Sequence, residues 1–138
     1  MAMLLDAQVV DMRIWQLRIR EDTKATMNNN YKKKHIALTY VFWKIIQAHK
    51  RNCTPRERQV ILEQLAERTH RDMNIFDVEI FLLPANITNS HWIWFLIHPE
   101  TRSIHCYDGF HNSYKRYFDF LLNWLEIEAA KTGVAFCL

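Results

Sequence analysis

Apolar and polar positions alternate in two distinct periods along this chain, and these periods predict its elements. Apolar residues three or four positions apart predict helices, over residues 4–20, 54–70 and 111–133. Runs rich in β-branched and aromatic residues predict strands, over residues 74–84, 92–97 and 102–107. Residues 21–35 are polar and predict a loop, whereas residues 36–50 are compatible with strand or helix. This order predicts an α+β domain with at least one antiparallel hairpin.

Each predicted helix has an apolar stripe that we expect to be buried. The first has Leu5, Val9, Met12 and Gln16 on one stripe, with Val10, Ile14 and Leu17 beside it. The second has Val60, Ile61, Leu65 and Ala66. The third has Tyr114, Tyr117, Leu121, Leu122 and Leu125. These stripes supply the helical side of a core.

Local signals mark where the elements begin and end. Thr54 is a candidate N-cap, Pro55 occupies the first helical position, and Glu57 completes a capping box. Gly133 suits the end of the last helix, and Pro84 is expected to stop the first predicted strand. The candidate N-caps of the last helix are Asn112 and Ser113.

Length, charge and cysteine content narrow the class of protein. A chain of 138 residues predicts a single domain spanning 1–138. The net charge of +3 is too small to indicate nucleic-acid binding, and no apolar run is long enough for a membrane span. We therefore expect neither a nucleic-acid nor a membrane partner. Three cysteines and no signal peptide predict a reducing, intracellular location, in the nucleus or cytoplasm.

Cofactor and metal sites are not expected. Two glycines in the whole chain exclude a glycine-rich phosphate loop. The metal-ligating residue types that lie close in sequence lack the spacing of a zinc site, and they are His98, His105, Cys106 and His111.

The stretch between residues 91 and 108 predicts a hairpin with polar residues at its open end. If the chain folds back between Pro99 and Glu100, His91 faces Asp108 and Trp92 faces Tyr107. A carboxylate beside an imidazole fixes its tautomer and stabilises the imidazolium. The pairing alone is also compatible with a simple polar contact at a sheet edge.

The same segments, in this order, resemble the ubiquitin-like-protein-specific cysteine proteases, the family of SUMO or sentrin proteases. The segments that carry the resemblance are "LLDAQVVDM", "YVFWKI", "IFLLP", "HWIWFLIH" with "IHCYDG", and "LLNWLEIEAAKTG". The resemblance implies a papain-like cysteine-protease domain with a mainly antiparallel sheet flanked by helices. It also implies proteolysis at the Gly-Gly tail of SUMO or a related modifier.

The resemblance also implies roles for individual residues. His91 would be the general base and Asp108 the residue that orients it. Trp92 would line the channel that holds the Gly-Gly tail of the ubiquitin-like protein. The expected contacts of the first helix with this partner are Asp6, Gln8 and Val9.

Several positions depart from the family pattern. Gly109 replaces a serine, Leu4 replaces a tryptophan that closes the channel, and Ala7 replaces an acidic residue. The oxyanion glutamine and the Asp-Cys-Gly nucleophile motif, which follow the aspartate in the family, are absent before Leu138. We therefore expect the C-terminal part of the domain to be missing and this chain to be inactive.

None of the three cysteines fits the role of nucleophile. Cys137 is followed by no helix, Cys106 suits a packed strand position, and nothing connects Cys53 with His91. Three hypotheses stay open: an incomplete copy of a cysteine protease, a non-catalytic relative that binds a ubiquitin-like protein, and a decayed fragment.

Overall fold

A computed structural model of the chain describes residues 7–69, 73–87, 91–107 and 114–133. Within these ranges the helices are α1 (Ala7–Met27), α2 (Tyr40–Ala48), α3 (Pro55–Thr69) and α4 (Lys115–Thr132). The strands are β1 (Lys34–Ile36), β2 (Ile80–Ile87), β3 (His91–His98) and β4 (Ser103–Tyr107). The predicted strands at 92–97 and 102–107 are confirmed as β3 and β4.

The strands form one sheet in the order β1-β2-β3-β4. β1 runs parallel to β2, and the other two neighbouring pairs are antiparallel. The α+β class with a mainly antiparallel sheet is therefore confirmed. Sequence patterning did not predict β1, because three residues are too few to establish a period.

Helices α2 and α4 cover one face of the sheet with aromatic side chains. Phe42 of α2 stacks on Phe95 of β3 with ring centroids 5.5 Å apart. Trp124 of α4 contacts Phe81 of β2 at 5.8 Å. All four side chains are almost completely buried, so these contacts form the centre of the core and hold β2 and β3 in place.

Helix α1 is longer than predicted and buries a different stripe. It continues to Met27, so the loop prediction for residues 21–27 is wrong. Val9 and Met12 are 53% and 65% exposed, whereas Ile14 is 1% exposed. The buried side is selected by contacts with β1, where the Arg18 Nε–H donates a hydrogen bond of 2.6 Å to the Ile36 carbonyl.

The ambiguous segment 36–50 is mainly helical, because α2 occupies most of it. Its N-terminus is capped from another helix: Asp11 of α1 accepts hydrogen bonds from the Thr39 N–H at 2.9 Å and the Thr39 hydroxyl at 3.0 Å. A carboxylate at this position also complements the positive end of the α2 dipole. The contact therefore fixes α1 against the start of α2.

Helix α3 begins as predicted but turns a different side inward. The Thr54 N–H donates to Glu57 Oε2 at 3.3 Å, and the Glu57 N–H donates to Thr54 Oγ1 at 3.1 Å, which confirms the capping box. Val60 is 47% exposed, whereas Leu62 and Leu65 are 2% and 3% exposed. The prediction for Val60 is therefore wrong, because packing against α2 sets the buried side.

Strand β2 begins later than predicted and passes through Pro84. Pro84 pairs with Trp94 of β3. The pairing of β2 with β1 ends at Leu82. Beyond that residue, β3 is the one strand that pairs with β2 among the described residues. A residue without an N–H is tolerated where one side of the strand is unpaired. The prediction that Pro84 ends the strand is therefore wrong.

Helix α4 ends as predicted. Gly133 adopts a left-handed conformation with φ of 72° and its N–H bonds the Ala129 carbonyl, which confirms the glycine stop. The predicted N-caps Asn112 and Ser113 lie outside the described residues. Leu121 and Leu125 are buried as expected, and Trp124, at 0% exposure, was missed.

Candidate active site

The candidate site lies at the end of the sheet where β2 finishes and β3 begins. Ile87 at the end of β2 pairs with His91, the first residue of β3, and Asn86 pairs with Trp92. Ile87 and Ile93 are buried, so a packed apolar strand pair supports this end. The backbone of His91 is thereby fixed in the sheet; its side chain is not among those described.

The hairpin has a different register from the predicted one. Tyr107 lies opposite Trp94, and His98 lies opposite Ser103, which leaves a connection of four residues, 99–102. The fold-back is therefore centred one residue later than expected, and the pairing of Trp92 with Tyr107 is wrong. Because the shift is two residues, an even number, the inward and outward faces of β4 are preserved.

The observed register sets how far the end of β4 lies from the start of β3. Tyr107 is opposite a residue three positions along β3 from His91. At about 3.4 Å per residue, the two backbones are offset by roughly 10 Å along the strands. The described ladder ends at Tyr107, so the pairing of His91 with Asp108 stays a prediction. Asp108 lies outside the described residues.

Trp92 is half-buried beside an unusual polar group. The Oδ1 atom of its partner Asn86 is buried and lacks a hydrogen-bond partner among the described residues. A buried amide oxygen without a donor is costly, so it marks a place where a donor is expected. Our sequence interpretation missed Asn86, although a polar residue near the end of an apolar strand was visible as a signal.

The expected partner contacts at the N-terminus are partly described. Gln8 and Val9 lie in the first turn of α1, and both are exposed. Ala7 is the first residue of the helix. Leu4 and Asp6, like Gly109, lie outside the described residues. Gln8 and Val9 are therefore accessible to another protein.

The two described cysteines lie just before α3 and within β4. Cys106 lies opposite Phe95 in β4 and is partly buried against the core. The Cys53 S–H donates to the Thr54 carbonyl oxygen, with the sulfur 3.6 Å from the oxygen. Cys137 lies outside the described residues. The expectation that neither described cysteine is a nucleophile stays a prediction.

Two side chains that contact the backbone of the fold, Arg18 and His49, have shifted pKa values. Burial lowers the pKa of Arg18, which is bound to β1. Burial also lowers the pKa of His49 at the end of α2, and the nearby positive Arg58 lowers it further. Both shifts follow from desolvation of a cation. They affect the stability of the fold and have no part in the proposed reaction.

Neither a metal cluster nor a membrane span is found in the described part of the chain. Within residues 7–69, 73–87, 91–107 and 114–133, no three His, Cys, Asp or Glu side chains are grouped so that they could hold a metal ion. In the same part of the chain, no helix is both long and apolar enough to cross a membrane.

The fold and motif order define a class of protein. The family model described as the Ulp1 protease family, C-terminal catalytic domain, matches residues 4–134. This match covers nearly the whole chain, and the chain therefore belongs to the Ulp1 protease family, whose members are cysteine proteases of ubiquitin-like modifiers. Comparison with curated proteins gives no relative of significant sequence similarity.

Solved structures share the fold. A structure described as "Crystal structure of the de-sumoylating protease" has a TM-score of 0.71 at 13% identity, covering 97% of this chain. The chain spans about half of that protein, 49% of its length. A mutant of XopD from Xanthomonas matches at 16% identity with a TM-score of 0.39, covering 99% of this chain and 66% of XopD. At 13% identity the de-sumoylating protease shows that the papain-like α+β fold is shared. The TM-score of 0.39 for XopD is too low to establish a common fold.

Proposed function

We propose that the chain forms the His–Asp half of a cysteine protease that cleaves after the Gly-Gly tail of SUMO or a related modifier. The observation that carries the proposal is the family match over residues 4–134, which includes the His-Trp and Tyr-Asp segments. The interaction partner is accordingly a ubiquitin-like protein. The reaction is hydrolysis of a peptide or isopeptide bond.

In this proposal His91 is the general base and Asp108 holds its imidazole in one tautomer. The base would take the proton of a cysteine thiol, and the thiolate would attack the carbonyl carbon of the second glycine. The C–N bond then breaks, the imidazolium gives its proton to the leaving amine, and water hydrolyses the thioester to release the glycine carboxylate. Neighbouring β2 supports the position of His91, because Ile87 pairs with its backbone. Trp92 would line the channel for the glycine tail, where large side chains are excluded.

In this proposal the chain does not supply the nucleophilic cysteine thiol. Cys53 donates to the Thr54 carbonyl oxygen, and Cys106 packs against the core. The sequence between Asp108 and Leu138 contains no Asp-Cys-Gly motif. We propose that a longer product of the same gene supplies the nucleophile.

The partner surface would include the exposed start of α1. Gln8 and Val9 are accessible there, and Asp6 precedes them in the chain. An apolar side chain such as Val9, 53% exposed, offers area that a partner would cover. A chain with this surface can bind a ubiquitin-like protein even without cleaving it.

A ubiquitin-like protein carrying a C-terminal propargyl group tests the catalytic part. We expect no covalent adduct with the 138-residue chain. An adduct on Cys53, Cys106 or Cys137 would show that the nucleophile assignment is wrong. Reading the transcript beyond the codon for Leu138 tests the source of the thiol, and we expect codons for a glutamine and then Asp-Cys-Gly.

If the longer product is obtained, His91→Ala and Asp108→Asn test the two roles. General-base catalysis contributes about 10²–10⁴-fold, so each variant should lose activity in that range with little change in substrate binding. The control is Val60→Ala, an exposed residue of α3, which should leave activity unchanged. Full activity of His91→Ala would refute the proposal.

Titration of labelled ubiquitin-like proteins with the 138-residue chain tests the binding part separately. We expect saturable binding that Val9→Glu and Trp92→Ala weaken and Val60→Glu does not. Saturable binding in the absence of any coding sequence for a nucleophile would favour a non-catalytic binding protein. Absence of binding at high micromolar concentration would reject the partner surface.

A further inference from the structure

The solvent-facing side of α1 is apolar, although the opposite side already supplies the buried stripe. Met12, Trp15 and Ile19 are 65%, 52% and 65% exposed. They are separated by three and four residues and therefore share one side of the helix. Met27 extends the same side at the C-terminal end and is 82% exposed. An amphipathic helix packed on a single core would carry charges here.

This side of α1 contains no charged residue. At 100° per residue it spans about 120° of the helix circumference. The residues of this uncharged face are Gln8, Val9, Met12, Trp15, Gln16, Ile19, Thr23, Thr26 and Met27. All are exposed, in a chain that is 24% charged. A continuous face without charge, rather than a scattered apolar residue, indicates a surface that is covered by a partner.

Charges of opposite sign border the uncharged face. Arg13, Arg20 and Lys24 follow one edge, and all three are exposed. Asp22 lies on the other edge, with its side chain 68% exposed and 2.9 Å from Lys33. Asp11 lies on that edge as well, where it caps α2. The two edges of the face are thus basic and acidic.

The charges along the two edges of the uncharged face indicate which partner covers it. If two identical helices pack in parallel about a twofold axis along their length, the basic edge of each meets the acidic edge of the other. In an antiparallel pair, basic edges meet each other. We propose that the uncharged face of α1 pairs in parallel with the same face of a second copy of this chain. This pairing does not rest on the proposed proteolysis, but it would cover Gln8 and Val9, so a second copy and a ubiquitin-like protein would compete for the start of α1.

The size of the face indicates a weak dimer. A helix of 21 residues is about 31 Å long and, with side chains, about 10–12 Å wide. It covers roughly 300–400 Å² on each copy, less than half of the ~800 Å² per partner of a standard interface. Trp15 is held by the Arg18 guanidinium, 5.0 Å from its ring centre, which favours it as an anchor. We expect dissociation in the micromolar range or weaker, about 1 μM or above.

Sedimentation equilibrium of the 138-residue chain, from about 1 μM to about 1 mM, measures the association directly. We expect a concentration-dependent monomer–dimer equilibrium. Ile19→Glu should raise the dissociation constant at least about tenfold. Val60→Glu, which adds the same charge at an exposed apolar residue of α3, should not. A chain that stays monomeric throughout this range, or equal effects of the two variants, would overturn the proposal.

A charge exchange tests the parallel geometry. Arg20→Glu alone and Asp22→Lys alone should each weaken self-association, because like charges then meet across the interface. An equimolar mixture of the two variants should associate again, because each altered side chain meets its opposite. Stronger self-association of Arg20→Glu alone would indicate an antiparallel pair and overturn the geometry. Circular dichroism of each variant checks that the fold is retained after loss of the Asp22–Lys33 contact.

Discussion

Trp94 lies directly opposite Tyr107 in the ladder between β3 and β4. This pair sets the alignment of the strand that begins with His91 and the strand that leads to Asp108. The four-residue connection before β4 makes the alignment possible, and Arg102 within it has a φ of 54°. Left-handed backbone of this kind is unfavourable for a residue with a side chain.

Replacing Arg102 with glycine should therefore stabilise the protein. We expect Arg102→Gly to raise the free energy of unfolding by about 0.5–1 kcal/mol, because glycine adopts positive φ without strain. Urea denaturation measures the change. Thr101→Gly is the control at a neighbouring loop position without positive φ, and it should lower stability. A loss of stability in Arg102→Gly would contradict the proposed strain.

The cap that Asp11 provides for α2 should contribute measurably to stability. Asp11→Ala removes the acceptor of the Thr39 N–H and hydroxyl and should lower the free energy of unfolding by about 1–3 kcal/mol. Asp22→Ala, which loses an exposed ion pair on the same helix, should change it by less than about 1 kcal/mol. Equal effects of the two substitutions in thermal denaturation would argue against the cap.

The capping box of α3 gives a third expectation. Thr54→Ala removes the acceptor for the Glu57 N–H and should lower the free energy of unfolding by about 1 kcal/mol. Thr54→Ser keeps a hydroxyl at the same position and should retain most of the stability. Chemical denaturation of the three proteins compares them. If Ser and Ala behaved alike, the hydroxyl would not be the stabilising group.

The stability of the protein should decrease as the pH is lowered, because of His49. The ring is buried, its Nδ1–H donates to the Ile45 carbonyl at 2.9 Å, and Nε2 lacks a hydrogen-bond partner among the described residues. Burial lowers its pKa in the folded state, so the unfolded chain binds the proton first. The contribution is complete above the ordinary histidine pKa of about 6.5 and is lost as pH falls below it.

Urea denaturation between about pH 7.5 and 5.0 measures this dependence. His49→Gln removes the titrating group and should flatten the dependence over this range. The reference is the unaltered protein under the same conditions. An unchanged slope in His49→Gln would show that another group is responsible.

Features fixed by neighbours in sequence were predictable. The capping box between Thr54 and Glu57 and the glycine stop at Gly133 each involve residues a few positions apart. The ordered motifs also identified the family that the match to residues 4–134 confirms. The proposed roles of His91 and Asp108 rest on these motifs and stay predictions.

Features set by distant contacts were not predictable. Val9 and Ile14 are both apolar residues of α1, and only the approach of β1 decides that Ile14 is buried. Likewise, Pro84 continues a strand because β1 stops pairing at Leu82. The one-residue displacement of the hairpin turn depends on Arg102 accepting a conformation normally left to glycine.

The sequence by itself determined the start of α3, the end of α4, the hairpin strands and the family, because these depend on local hydrogen bonds and on the order of short motifs. Only the tertiary structure decided which sides of α1 and α3 are buried and how β3 and β4 align. Those choices depend on the packing of surfaces far apart in the chain, and several registers or faces satisfy the same local pattern.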